Sequence, residues 1–174
     1  MFQIEPCCTQ KQWPALRDKI GADGTRMFHG FGDLSIAELL PVALTRYADT
    51  PLLFVCPSLP NAAAEVLAQQ LNKTIARRNG KGTMNVISRL TLITDLSKKK
   101  SPAASKWLTD NPYGDRLQAY NIQQNDTAII FPDFAVWGNV NINYNGHFTA
   151  LVTSNQRVIN NLRETYIELI KRQK

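Results

Sequence analysis

The stretch WGNVNINYNGHFTALVTSNQRVINNLRETYIELI, residues 137–170, sets two kinds of structure side by side. Its first part alternates, with Val140, Ile142 and Tyr144 against Asn139, Asn141 and Asn143, which is the period of a half-buried strand. Asn145-Gly146 then offers the positive-φ pair that a tight hairpin turn needs. HFTALVT (147–153), rich in β-branched and aromatic residues, reads as the returning strand. Ser154 can cap a helix on which Val158, Leu162, Tyr166, Leu169 and Ile170 recur along one face. A hairpin closing on an amphipathic helix predicts a sheet with a helix laid across it. A second reading stays open. The four asparagines, two glycines and His147 between residues 137 and 148 could also form a loop that handles a charged ligand.

Upstream the pattern changes. RLQAYNI, DTAIIFP and FAVWGNVNI read as consecutive strands, preceded by a turn at DNPYGD (110–115). MNVISRLTLITDL (84–96) reads as one long strand or two short ones. PLLFVCP (51–57) is a continuous apolar run between prolines, as expected of a strand buried on both faces. TRMFHGF (25–31) is a strand or a loop. Helices are expected after Ser35, where Ser35 and Glu38 make a capping box, after Asn61 up to about Arg78, and after Ser101-Pro102. Residues 1–24 read as an irregular arm, and residues 25–174 as one domain. The fold class is therefore mixed α/β, with a largely parallel central sheet flanked by helices.

With 44% apolar and 20% charged residues, the chain has the composition of a folded domain. No apolar run approaches the roughly 20 residues of a membrane-spanning helix, and the first residues lack the layout of a secretory leader. A cytoplasmic location is the expectation. Cys7, Cys8 and Cys56 are odd in number and lack ligand spacing, so neither a disulfide framework nor a metal site is expected.

Charge is unevenly laid out. Residues 73–106 hold nine bases (Lys73, Arg77, Arg78, Lys81, Arg89, Lys98, Lys99, Lys100 and Lys106) against one acid, Asp95, a local balance of +8. Residues 107–156 hold Arg116 against four acids. A basic field of this kind attracts phosphate polymers, although a lysine-rich loop beside a solvated helix end would look the same. Trp107, Tyr113 and Trp137 are candidate stacking platforms for bases.

Nucleotide-cofactor motifs are missing: there is no G-x-x-x-x-G-K-[ST] loop and no G-x-G-x-x-G after a strand. His29, in HGFG, has no G-x-S-x-G nucleophile motif to serve. No cofactor is expected.

The segments HGFGDLSIAELL, PLLFVCPSLPNAAAEVLAQQL, LTLITDL and residues 137–170 follow one another in an order that resembles a single half-domain of the phospholipase D-like superfamily, of the phage and mobile-element type. The resemblance covers most of residues 28–170. It implies a signature of H-x-K, an aspartate and G-S-x-N, in which a histidine attacks phosphorus while the lysine and asparagine hold the phosphate oxygens. It also implies a homodimer, since two half-domains complete one site.

Laid on this chain, H-x-K falls at Gln118-Ala119-Tyr120, the aspartate near Asn125 or Asp126, and G-S-x-N at Gly138-Asn139-Val140-Asn141, a few residues later than the usual interval. A glutamine amide has no usable nucleophilic lone pair, and a tyrosine carries no positive charge at neutral pH. No catalytic residue is assigned. The expected remnant is a phosphate pocket of Gln118, Tyr120, Gly138, Asn139 and Asn141, with His147 nearby, and a nucleic-acid surface of Arg77, Arg78, Lys81, Arg89, Lys98, Lys99, Lys100 and Lys106. Two alternatives remain: an active nuclease or phosphodiesterase using His147 or His29, and a structural dimerisation protein.

Overall fold

Among the described residues, seven strands make up one sheet: β1 (Thr25–Phe31), β2 (Thr50–Cys56), β3 (Ile87–Thr94), β4 (Leu117–Asn121), β5 (Thr127–Ile130), β6 (Ala135–Asn139) and β7 (His147–Thr153). Helix α1 (Gln156–Lys171) follows them. The computed structural model describes residues 24–31, 50–59, 64, 65, 67, 87–95, 110, 113–139 and 147–173. The expected helices after Ser35 and Ser101, and the turn at Asn145-Gly146, lie outside these residues, as does the arm before Gly24.

The order across the sheet is β1-β7-β6-β5-β2-β3-β4. β2 lies in its interior because its sequence is apolar on both faces. Leu53 and Val55 are buried on one side and Leu52, Phe54 and Cys56 on the other. Each large side chain so buried contributes about 1.5–3 kcal/mol relative to exposure, which makes an edge position for this strand untenable.

The sheet is mixed, as expected, but its parallel part is smaller than the sequence suggested. Among the described strands, only β2 with β3 and β3 with β4 pair in parallel. The other four pairings are antiparallel. The connection lengths give the physical reason. Residues 131–134 join β5 to β6 directly, closed by Phe131 N–H donating to the Phe134 carbonyl at 2.8 Å. A link this short can reverse a strand but cannot carry a parallel crossover.

Helix α1 lies on one face of the sheet. Ile159 and Tyr166 are buried in a cluster with Leu53, Val55, Ile93, Ile122, Ala128, Ile130 and Ala135, and Leu162, Leu169 and Ile170 pack against it. The opposite face is equally buried at Phe54, Leu90 and Leu92. After β2, Ala64, Glu65 and Leu67 are helical, and Ala64 and Leu67 are fully buried.

The cap of α1 is Asn155, one residue later than expected. Its side-chain oxygen accepts from the backbone N–H of Arg157 at 3.1 Å and of Val158 at 3.2 Å, satisfying two donors that the first turn leaves open. Ser154 is engaged elsewhere: its N–H and its hydroxyl both donate to the Gly24 carbonyl. Thr153 also donates to that carbonyl and lies 2.6 Å from the Thr25 hydroxyl. These bonds fix the start of β1 against the end of β7.

Candidate phosphate-handling rim

β1, β2, β3, β4 and β6 all finish at one end of the sheet, while β5 and β7 begin there. This rim collects Ser58, Asp95, Asn121, Asp126, Gly138 and Asn139. In open sheets of this kind, ligands gather beyond the carboxyl ends of the strands, where neighbouring strands lead away on opposite sides. β2 is such a point, since β3 continues from it on one flank and β5 lies on the other.

The expected remnant pocket does not come together at the rim. Gln118 and Tyr120 sit on β4, in register with Thr91 and Ile93 of β3. Gly138 and Asn139 sit on β6. Strands β3, β2 and β5 lie between them. Four spacings of about 4.8 Å put the two groups roughly 19 Å apart. Gln118 is exposed, and Tyr120 is half-buried against the α1-side core. A single phosphate therefore cannot touch both groups, which corrects the pairing of Gln118 and Tyr120 with the glycine turn. Asn141 lies outside the described residues.

What does lie beside Gly138 is the start of β5. Thr127 is in register with Gly138, and Ala128 with Trp137. Asn125 and Asp126, the expected aspartate position, lie directly before this start of β5.

The neighbourhood is held by side-chain packing. The Trp137 indole N–H bonds to the Tyr166 hydroxyl, tying β6 to α1. Burial pushes the Tyr166 phenol up to about 12, the bond from Trp137 draws it down, and the negative charge of Asp126 adds to the rise. Trp137 is half-buried, and Tyr113 is only 7% exposed, which corrects its expected role as a stacking platform for a base. Trp107 lies outside the described residues. Tyr113 instead opens the turn into β4, where Gly114 adopts a φ of 55°.

At the end of β2, the Cys56 thiol bonds to the Thr94 hydroxyl at 3.5 Å. Burial pushes the thiol up to about 12, against the opposing effect of that bond, so it stays protonated at neutral pH and supplies no thiolate nucleophile. Among the described residues no group of three side chains could hold a metal ion, and no helix is long and apolar enough to cross a membrane.

The two histidines fall on neighbouring strands. In the β1–β7 pairing, His29 is in register with Thr149, and Phe31 with His147. Thr149 is also in register with Asn139 of β6. Of the expected basic surface, Arg89 is exposed near the start of β3, while Arg77, Arg78, Lys81, Lys98, Lys99, Lys100 and Lys106 lie outside the described residues.

The sequence matches no family model and no curated protein. Solved structures do resemble the chain. The archaeal chromatin protein TrmBL2, described for a novel mode of DNA binding, is similar at a TM-score of 0.52 and 12% identity, over 94% of this chain and 58% of that one. Polyphosphate kinase from Porphyromonas gingivalis is similar at 0.58 and 14%, over 98% of this chain and 27% of the kinase. Nuc from Salmonella typhimurium, a phospholipase D family member, is similar at 0.51 and 15%, over 83% and 93% of the respective chains. The chain spans just over half of the chromatin protein and about a quarter of the kinase. At these identities the likeness is one of fold, a mixed α/β fold similar to that of structures which include a phospholipase D family member.

Proposed function

We propose that the chain is a phospholipase D-like domain that binds nucleic acid, or another phosphate-bearing polymer, without cutting it. The observation that carries this reading is the run of nine bases against one acid over residues 73–106, which brackets β3. β3 delivers the chain to the rim at Asp95, three residues before the run Lys98-Lys99-Lys100 in the sequence. Lys98, Lys99 and Lys100 would neutralise phosphates near the same end of the sheet as Asp126, Gly138 and Asn139. Likeness to a chromatin protein described for its DNA binding, and to Nuc, supports a nucleic-acid partner. The non-cleaving part of this reading rests on the motif alignment, which puts the carboxamide of Gln118 where a histidine would form a covalent intermediate. Self-association into a dimer and a cytoplasmic location belong to the same proposal.

The test is fluorescence anisotropy with labelled single- and double-stranded oligonucleotides, with gel analysis of the same samples. Binding is expected, with the oligonucleotide intact. Replacing Lys98, Lys99 and Lys100 together by alanine should weaken binding severalfold; unchanged affinity would move the contact surface elsewhere. A nuclease reading draws support from the placement of the two histidines on paired strands. It requires cleavage that His147→Ala or His29→Ala abolishes.

A further inference from the structure

Away from the rim, toward the end of the sheet where β2 begins and β5 finishes, a groove of about 410 Å³ opens between the sheet and α1. That size falls within the range of sites that take small organic ligands. Ile130, Leu53 and Thr91 stand in one row across β5, β2 and β3, on the face that α1 covers. Two strand spacings make this floor about 10 Å wide. Arg163, Ile167 and Ile170 also line the groove. Their spacing of four and three residues puts them on one flank of the helix.

Two of these side chains are left unmatched by the packing. Ile167 stays 39% exposed, although Ile170, on the same flank, packs against the core. Arg163 is half-buried, and one of its terminal nitrogens donates to the Phe131 carbonyl at 3.1 Å. Among the described residues no carboxylate pairs with it, and Glu164 and Glu168 line a different groove. A guanidinium carries five donors in a fixed fork, so one bond leaves most of them for a ligand.

From this lining we infer that the groove binds a small amphipathic anion, an aliphatic carboxylate of roughly eight carbons by the width of its floor. The carboxylate sits on the Arg163 fork, whose planar geometry matches two parallel bonds to its oxygens. The chain lies along Leu53, Ile130 and Ile167 and takes the exposed part of Ile167 out of water. One guanidinium balances one negative charge, and the apolar floor beside it requires an apolar tail. The site is separate from the rim and does not rest on nucleic-acid binding. No bond is made or broken there.

The full chain near pH 7 is titrated with butanoate, hexanoate, octanoate and the neutral octan-1-ol, with isoleucine methyl signals followed by nuclear magnetic resonance. The Ile167 signal is identified by its loss in Ile167→Leu. Octanoate should shift it along a saturation curve, and affinity should rise about fourfold per added methylene from butanoate to octanoate. Octan-1-ol should bind at least about tenfold more weakly than octanoate. Arg163→Gln should weaken octanoate by about tenfold or more and leave octan-1-ol unchanged. Circular dichroism reports folding of the variant, and the wild-type comparison of octanoate with octan-1-ol decides the matter if it does not fold. No saturable shift of Ile167 up to about 50 mM octanoate would overturn the inference. So would equal binding of octanoate and octan-1-ol, or octanoate affinity untouched in a folded Arg163→Gln.

Discussion

Replacing Tyr166 by phenylalanine removes one oxygen and keeps the ring, so the change isolates the tie between β6 and α1. Tyr166 is 3% exposed, and its hydroxyl accepts the Trp137 indole N–H. At pH 7 the loss is one hydrogen bond to a half-buried donor that water can partly re-satisfy, on the order of 1 kcal/mol. A second effect runs the other way with pH. In the folded chain the phenol is held at about 12 by burial, with the opposing bond from Trp137 and the added charge of Asp126, against an ordinary value near 10. Between those values the unfolded chain releases a proton that the folded chain keeps, so stability falls as pH rises. At pH 11 the wild type should have lost about 1.4 kcal/mol that Tyr166→Phe cannot lose. The two proteins should differ at pH 7 and be nearly equal, or reversed, at pH 11. Cys56, raised in the same direction, contributes alike to both and cancels in the difference. Urea denaturation followed by circular dichroism at both pH values measures this. A variant as stable as the wild type at pH 7, declining in parallel with it to pH 11, would refute the tie.

The cap of α1 gives a second comparison: Asn155→Ala should cost about 1 kcal/mol, or roughly 2–4 °C in Tm, and Ser154→Ala clearly less. The reverse order would show that the cap is misassigned. In a chain with Cys7→Ser and Cys8→Ser, Cys56 should react with a thiol reagent about a thousandfold more slowly than a free cysteine, because a thiol near 12 holds so little thiolate. Reaction within tenfold of the free rate would mean the end of β2 is open.

Strands were legible where composition and period agreed. PLLFVCP could only be interior, since both of its faces are apolar, and HFTALVT is the full length of β7. β6 and β7 pair antiparallel, while the expected turn at Asn145-Gly146 lies outside the described residues. Lateral order was not legible. Nothing in RLQAYNI says that it joins the sheet beyond β3, with three strands between it and β6, because period and propensity describe a strand's faces and not its neighbours. The pocket assignment failed for that reason. Proximity of His29 and His147 was hidden likewise, since β1 meets β7 across almost the whole chain. The cap of α1 was misread because Ser154 and Asn155 are both good capping types, and only the bonds of Ser154 to Gly24 separate them.

The claim that this fold holds a phosphate polymer by charge and leaves it uncut is tested most directly by the salt dependence of binding to a single-stranded oligonucleotide, with the strand recovered and sized afterwards. If about four of the nine bases in residues 73–106 contact phosphates, affinity should fall about 50-fold between roughly 50 and 200 mM salt, and the strand should come back full length. Affinity that does not change over that range, or a shortened strand whose production stops with His147→Ala, would contradict it.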